Sequence, residues 1–298
     1  MPELPEVESL ALFLGEKAGG RIVERAELAS FSALKTFDPP FEGLVGRALV
    51  ETGRKGKFLL LGFGPQGGGG VPQAAPEVWL VVHLSRAGWV HWKELLPPGR
   101  AKPSPRSSLA LRLGFVGGNG FDVTEAGTEK RLEAYVVRDP MDVPHVATLG
   151  PEALDLDVVA LGERLQAAGR SPIKAVLADQ QVIAGVGNAY SDEVLHVAGL
   201  SPFKPASTLT GADLATLHAA LHSVLLDALD RSEGVDAAGL KKEKKGGLRV
   251  HGRKGEACPA CGDVVREVSY STKSFQYCAT CQTGGKVLAD RRLSRLLK

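Results

Sequence analysis

Ala184-Gly185-Val186-Gly187-Asn188 separates two stretches, Ile173 to Ala178 and Ala189 to Ala198, in which apolar residues recur at helical spacing. The two glycines allow backbone amides to turn outward just before the second stretch begins, and the N-terminus of a helix attracts anions. The motif therefore predicts either a plain tight turn between two helices or a turn that also binds a phosphate group.

Further helical patterns extend this region on both sides, over Leu156 to Ala168 and Gly211 to Leu229, so we predict an all-helical domain at residues 151–240. Upstream, stretches rich in β-branched and aliphatic residues predict strands at Arg21 to Glu27, Ala48 to Gly62, Val78 to Trp92 and Ser108 to Val116. We therefore expect a β-rich domain with a leading helix at residues 1–135, a linker at 136–150, and the α+β fold class.

The chain opens with Met1-Pro2-Glu3-Leu4-Pro5-Glu6-Val7-Glu8. Proline and glutamate suit the first turn of a helix, so the segment predicts a helix from Pro5 to about Ala18. A chemical interpretation is compatible with this one. Removal of Met1 would expose the secondary amine of Pro2, whose pKa of about 8 leaves part of it unprotonated at neutral pH. Its attack on a sugar C1′ would give an obligately cationic iminium, from which a 3′ phosphate can be eliminated, with Glu3 as the nearby acid or base.

All four cysteines lie in one short segment, as Cys258-Pro-Ala-Cys261 and Cys278-Ala-Thr-Cys281. Two such pairs are typical of a tetrahedral zinc site, and four protein ligands leave no open position for water or substrate. We predict one structural Zn²⁺ ion and no disulfides, within a finger and basic tail at residues 248–298.

The charge is unevenly distributed along the chain. The net charge is +2, but residues 241–298 contain 14 Lys or Arg against 5 Asp or Glu. This asymmetry favours a polyanionic partner for the C-terminal segment, with a solvated basic tail as the alternative. No apolar stretch approaches the ~20 residues that a membrane span needs, and the acidic start is unlike a signal peptide. We therefore predict a cytoplasmic protein with no membrane partner.

Four separated motifs point to one family. They are Pro2 to Glu8, Arg54-Lys-Gly-Lys57-Phe-Leu-Leu60, the region Ile173 to Gly199, and the finger that ends at Cys281-Gln282. In these motifs the chain resembles the formamidopyrimidine-DNA glycosylase and endonuclease VIII family of bacterial base-excision repair enzymes. The resemblance implies an N-terminal β-sandwich, a helix-two-turns-helix domain and a zinc-stabilised β-hairpin. It also implies a nucleoid-associated monomer that acts on double-stranded DNA containing damaged bases or abasic sites.

The resemblance further implies a role for individual residues. Pro2 is the expected Schiff-base nucleophile, Glu3 the acid that assists base departure, and Lys57 a ligand of the phosphate beside the lesion. DNA contacts are also expected at His83, Arg86, Lys174, Asn188, Tyr190 and Lys273. The implied activities are a DNA glycosylase and an abasic-site lyase that cleaves by β-elimination, with δ-elimination left open.

Three departures from the family pattern bear on the substrate. Lys273 stands where members usually have arginine, so the charge is kept but the bidentate fork is lost. The 8-oxoguanine branch has methionine after His-Leu-Gly, whereas this chain has His83-Leu84-Ser85-Arg86, so Arg86 is expected to fill the gap left by the extruded base. The segment 234–247 is shorter than the loop that caps 8-oxoguanine in that branch. These differences predict oxidised pyrimidines as substrates, with an 8-oxoguanine and formamidopyrimidine enzyme, or a non-catalytic damaged-DNA-binding protein, as alternatives.

Overall fold

The computed structural model describes residues 1–66, 75–102, 104, 107–269 and 274–289. The chain forms two compact units. The first comprises Met1–Thr148 and Ser232–Lys241, and the second comprises Leu149–Arg231 and Lys242–Lys298. The short segment 232–241 therefore belongs to the first unit, whereas the sequence analysis grouped it with the helical domain.

The first unit begins with α1 (Leu4–Ala18), the predicted leading helix. The Glu6 carboxylate accepts a hydrogen bond from the Glu3 amide at 2.8 Å, which satisfies one of the amide donors that a helix start leaves open. The apolar side chains of Val7, Leu10 and Leu14 recur at helical spacing and are fully buried. They anchor α1 in the core of the unit.

Two four-stranded antiparallel sheets form the body of the first unit. One sheet has the strand order β2-β3-β4-β8, with β2 (Ala48–Lys55), β3 (Phe58–Gly64), β4 (Val78–His83) and β8 (Glu133–Val137). The other has the order β1-β6-β7-β5, with β1 (Val23–Leu28), β5 (Gly88–Lys93), β6 (Leu109–Phe115) and β7 (Gly120–Glu125). A four-residue helix, α2 (Pro144–Ala147), follows β8.

The core of the first unit is built from residues two apart along the strands, as expected for a sandwich whose inner faces pack together. These buried residues are Leu59, Leu61, Phe63, Leu80, Val82, Leu111, Leu113, Phe115, Phe121 and Val123. The segment 232–241 completes this core with Ala237 and Leu240. The Trp89 indole donates a 2.7 Å hydrogen bond to the Ala237 carbonyl, which fixes the segment in place.

The second unit contains the helices α3 (Val158–Ala167), α4 (Ile173–Leu177), α5 (Asn188–Val197) and α6 (Gly211–Ser232). A further helix, α7 (Leu240–Gly247), begins at the end of the segment 232–241, which belongs to the first unit, and continues into the second unit. An antiparallel hairpin of β9 (Val265–Ser269) and β10 (Ser274–Cys278) is followed by α8 (Ala279–Thr283). Among the described helices, none combines the length and the apolar character needed to cross a bilayer.

The strand predictions differ from the structure in two ways. The predicted stretches 48–62 and 78–92 each fold into two strands, because left-handed residues, Gly56 at φ 56° and Ser85 at φ 53°, turn the chain within them. In addition, β7 and β8 lie in a stretch for which no strand was predicted.

Candidate functional site

The N-terminal end of α1 is largely closed to solvent. Met1 is 46 % exposed, whereas Pro2 is buried and Glu3 is 1 % exposed. Pro2 and Glu3, the nucleophile and the acid expected from the sequence, therefore lie at the positive end of a 15-residue helix. That end stabilises a carboxylate and attracts other anions.

An ion pair joins α1 to the turn between β2 and β3. The Nε atom of Arg54 donates to Oε2 of Glu8 at 2.9 Å, and its Nη1 donates to the carbonyl of Gly56 at 3.0 Å. These bonds hold the first turns of α1 beside the turn that carries Lys57, a residue only 6 % exposed. The structure thus joins α1, the helix that follows Pro2 and Glu3, to the turn that carries Lys57.

Strand register adds a histidine and a carboxylate to this region. Phe58, which follows Lys57, pairs with His83, and His83 pairs with Glu133 across the next strand. The His83 and Phe58 rings are in contact, with centroids 4.8 Å apart. Burial lowers the pKa of His83 to about 4, with Lys57 and His145 adding to the effect and Glu133 opposing it. The His83 ring is therefore neutral at pH 7 and adds no second positive charge beside Lys57.

Arg86 is exposed in the tight turn between β4 and β5. Ser85 adopts the left-handed conformation, and the Gly88 amide donates to the Leu84 carbonyl at 2.8 Å, which closes the turn. A Cβ atom at Gly88 would lie 2.1 Å from the Leu84 oxygen, so the turn requires glycine there. The turn exposes the Arg86 side chain to solvent, and its role in filling a gap in DNA stays a prediction.

In the second unit, Gln180 organises the turn that precedes α5. Its Oε1 accepts a hydrogen bond from the Gly185 amide at 3.0 Å, and its Nε2 donates to the Val186 carbonyl at 2.6 Å. Asn188 is the first residue of α5, and its Nδ2 donates to the Ser274 carbonyl on β10 at 2.8 Å. The predicted phosphate ligand Asn188 thus also ties the start of α5 to the hairpin.

Lys174 lies inside the second unit, and its contact with DNA stays a prediction. It is 8 % exposed, its Nζ atom lies 2.6 Å from Oδ1 of Asp192, and it donates to Oγ of Ser191 at 2.8 Å. The other oxygen of Asp192 lies 2.7 Å from Nδ1 of His251 and accepts from the Gln276 amide at 3.1 Å. The Lys174 charge is therefore compensated internally and stabilises the packing of α4 on α5.

Tyr190 is likewise an interior residue. It is 2 % exposed, and the Nζ atom of Lys244 lies 4.5 Å from its ring centroid. The expected contact of Tyr190 with DNA stays a prediction. Lys273, the remaining predicted DNA contact, lies outside the described residues.

The four cysteines come together at the base of the hairpin. Their sulfur atoms all lie within 4.8 Å of one another, and the cysteines are free. The Cys258 and Cys281 sulfurs are 3.9 Å apart, and those of Cys261 and Cys278 are 3.4 Å apart. Tetrahedral Zn²⁺ with a Zn–S distance of about 2.3 Å separates its sulfurs by about 3.8 Å. The donor set therefore fits one zinc ion, which would fix the hairpin to the segment before it.

Known proteins match the chain over most of its length. The sequence model for the formamidopyrimidine-DNA glycosylase N-terminal domain matches residues 1–126, and that for the formamidopyrimidine-DNA glycosylase H2TH domain matches residues 149–238. The formamidopyrimidine-DNA glycosylase of Moorella thermoacetica is 32 % identical over 277 residues, which cover 90 % of this chain and 94 % of that protein. The chain belongs to the formamidopyrimidine-DNA glycosylase family.

Two further members of the formamidopyrimidine-DNA glycosylase family differ in how much of the chain they match. An uncharacterized formamidopyrimidine-DNA glycosylase-like protein of Mycobacterium tuberculosis is 61 % identical over 155 residues, which cover 52 % of this chain and 98 % of that protein. The Lactococcus lactis enzyme solved with DNA containing an abasic site superposes with a TM-score of 0.78, at 23 % identity, and covers 94 % of this chain and 99 % of that one. The predicted α+β fold is thereby confirmed.

Sequence reasoning missed several residues that support the site in this member of the formamidopyrimidine-DNA glycosylase family. Glu133 meets His83 through strand pairing, and Asp192 meets Lys174 across two helices. Long-range pairings of this kind leave no signal in spacing. Gln180 had a usable signal, since an amide side chain close to a Gly-x-Gly turn can hydrogen-bond the turn's backbone.

Proposed function

We propose that this chain is a bifunctional DNA glycosylase and abasic-site lyase that acts on double-stranded DNA with oxidised bases. The observation that carries the proposal is the buried Pro2–Glu3 pair at the positive end of α1, a helix that the Glu8–Arg54 ion pair joins to the turn before Lys57. Family membership supports the glycosylase class. We further propose that the enzyme works as a cytoplasmic monomer and holds one structural Zn²⁺ at the four cysteines.

The reaction begins with the lone pair of the Pro2 nitrogen, which attacks C1′ of the damaged nucleotide. The bond from C1′ to the base breaks, and the base leaves with its bonding pair and a proton that Glu3 is placed to supply. The Pro2 nitrogen, now bonded to C1′, loses its proton, and its lone pair expels O4′, which takes up a proton as the C1′–O4′ bond breaks and the sugar ring opens. Because a secondary amine cannot form a neutral imine, the ring-opened product is a cationic iminium. Loss of a C2′ proton then drives cleavage of the C3′–O bond, the 3′ phosphate departs, and water finally releases the sugar from Pro2.

This mechanism requires a free amine at Pro2. Met1 occupies that nitrogen as an amide, so its removal is a necessary part of the proposal. Mass spectrometry of the mature N-terminus tests this step directly, and retention of Met1 on every molecule would exclude the lyase activity.

The proposed DNA contacts come from both units. In the first unit they are Lys57, His83 and Arg86, and in the second they are Asn188 with the amides around it and Lys273. In the first group, His83 pairs with Phe58, which follows Lys57, and the helix start at Asn188 favours an anion. Contacts to the backbone phosphates position DNA without reading its sequence, so binding should weaken steeply with salt.

We propose oxidised pyrimidines as the preferred substrates, with 8-oxoguanine and formamidopyrimidine lesions as the second candidate. Arg86 in the β4–β5 turn supports the first, and so does the short segment 234–247, in which Ala237 is packed into the core. The names of the matched relatives favour the second. Excision of thymine glycol and of 8-oxoguanine by the same preparation, compared under single-turnover conditions, distinguishes the two.

Borohydride trapping on abasic-site DNA tests the lyase proposal. The Met1-free protein should form a covalent adduct, because borohydride reduces the iminium, and Pro2→Gly should trap far less. If the Met1-free wild-type protein forms no covalent adduct with abasic-site DNA, the lyase proposal is wrong. Tight binding to an abasic-site analogue without strand scission would instead favour the non-catalytic damaged-DNA-binding protein.

A further inference from the structure

His196, in the last turn of α5, lies against the four-cysteine cluster. The side chain is 5 % exposed, and its Nε2 atom is 3.2 Å from the sulfur of Cys258. Cys258 is itself 2 % exposed, so water has little access to its sulfur. The contact pairs a ring nitrogen with one of the four sulfurs that the zinc ion would bind.

The other ring nitrogen decides which partner is the donor. The Nδ1 atom of His196 is buried and meets no hydrogen-bonding partner within the described part of the chain. A proton on Nδ1 would therefore be a buried donor without an acceptor. This holds for the neutral ring protonated on Nδ1 and for the charged ring, and buried unpaired donors are strongly disfavoured. The proton of a neutral imidazole then resides on Nε2, from which it is directed at the sulfur.

We propose that His196 donates an Nε2–H hydrogen bond to the Cys258 thiolate and so retains the metal ion in the finger. A metal-bound thiolate carries negative charge, and an N–H donor stabilises that charge where water is excluded. His196 is in this sense a positioning residue that acts on the metal through Cys258. The inference concerns metal retention and does not depend on the proposed enzymatic function.

The position of His196 gives this hydrogen bond a second consequence. Asn188 at the start of α5 bonds the Ser274 carbonyl, and Glu193 in its middle accepts the amides of residues 249–251 at 2.6 to 3.0 Å. His196 extends this row of contacts to the end of α5, so the helix is fixed along its length to the segment that carries the cysteines.

Zinc release to a chromogenic chelator tests the proposal in the full-length, zinc-loaded protein. His196→Phe keeps an aromatic ring but has no donor, and it should release zinc roughly 10- to 100-fold faster than wild type. His196→Gln places an amide N–H near the position of Nε2 and should restore release to within a few-fold of wild type. His222→Phe is the matched control, because His222 lies in the same unit and bonds the Leu156 carbonyl instead of a cysteine.

Replacing zinc by cobalt gives an absorption spectrum that reports the charge on the thiolate sulfurs, which a change in packing alone does not alter. Loss of the N–H donor leaves the thiolate more electron-rich, so the sulfur-to-cobalt charge-transfer band of His196→Phe should shift to lower energy while the tetrahedral d–d bands persist. Failure of His196→Phe to bind metal, with binding kept in His196→Gln, would also support the donor role. Equal release rates in the Phe and Gln variants, an unshifted band, or a nitrogen ligand in the zinc X-ray absorption spectrum would overturn it.

Discussion

The Nζ atom of Lys174 lies 2.6 Å from Oδ1 of Asp192, and the two side chains are only 10 % and 0 % exposed. Removing the cation leaves a buried carboxylate with a single histidine as its remaining side-chain partner among the described residues. Breaking a buried pair of this kind is strongly destabilising. We expect Lys174→Met to lower the free energy of unfolding by about 3 kcal/mol, as measured by urea titration followed by circular dichroism at 222 nm.

The salt dependence of DNA binding separates this structural role from a phosphate contact. Loss of one lysine–phosphate contact should reduce the slope of log affinity against log salt by about 0.9. Lys174→Met should leave the slope unchanged, whereas Lys57→Met, the same substitution in the first unit, should reduce it by that amount. A smaller slope in Lys174→Met would show that the side chain reaches DNA after all.

The half-buried His83 ring makes the first unit sensitive to acid. Its pKa is lowered by burial from 6.5 to about 4 in the folded protein. Between these values the unfolded chain binds a proton that the folded chain does not, so stability falls as the pH falls from 6.5 towards 4. The loss of stability caused by this protonation is at most about 3 kcal/mol. It is absent above pH 6.5, where the His83 ring is neutral in both the folded and the unfolded chain.

His83→Gln should remove the part of the acid-induced loss of stability that comes from this histidine. The free energy of unfolding of wild type minus that of the variant should fall by up to about 1.4 kcal/mol per pH unit between pH 6.5 and pH 4. Tryptophan fluorescence reports this unit selectively, because Trp79, Trp89 and Trp92 are the only tryptophans of the chain and all lie within it. Parallel stability curves for the two proteins would contradict the assignment of a neutral, half-buried ring.

The contrast between Lys174 and the cysteines shows what the sequence could predict. The helical stretches, the leading helix and the four-sulfur cluster follow from local spacing, and the structure confirms them. The inward direction of Lys174 depends on Asp192 in another helix, which no local pattern reveals. Strand β7 was missed because Asp122 interrupts its apolar pattern, and that carboxylate is compensated by Arg112 on the neighbouring strand at 2.6 Å.

Ser85 adopts a backbone conformation that suits glycine. At φ 53° a side chain costs about 1 kcal/mol or more, whereas glycine visits this region freely. We expect Ser85→Gly to raise the free energy of unfolding by about 0.5 to 1 kcal/mol, the usual gain being reduced by the greater freedom of glycine in the unfolded chain. Tryptophan-monitored urea titration measures the change.

Two further substitutions at this position separate backbone strain from the loss of the hydroxyl. Ser85→Ala removes the hydroxyl but keeps the Cβ atom, so it should stay within about 0.5 kcal/mol of wild type. Ser85→Val adds a β-branch at positive φ and should destabilise by more than about 1 kcal/mol. A gain in stability for the alanine variant equal to that for glycine would refute the strain interpretation.

Arg86 offers the sharpest test of how the proposed enzyme handles duplex DNA. A side chain that fills the gap left by an extruded base matters only where a stacked duplex has been opened. We expect Arg86→Ala to slow excision from duplex DNA by about 10-fold, equivalent to about 1.4 kcal/mol, and to leave excision from a single strand nearly unchanged. Single-turnover rates on the two forms of one oligonucleotide measure the ratio.

Two replacements at Arg86 then distinguish stacking from charge. Lysine keeps the positive charge but lacks the planar guanidinium that stacks on a base, so Arg86→Lys should be nearly as slow as Arg86→Ala on the duplex. Methionine is uncharged and flexible but can fill the same space, so Arg86→Met should recover duplex excision and shift preference from thymine glycol towards 8-oxoguanine. If lysine restores the duplex rate and methionine does not, Arg86 acts as a phosphate contact, and the gap is filled by another residue.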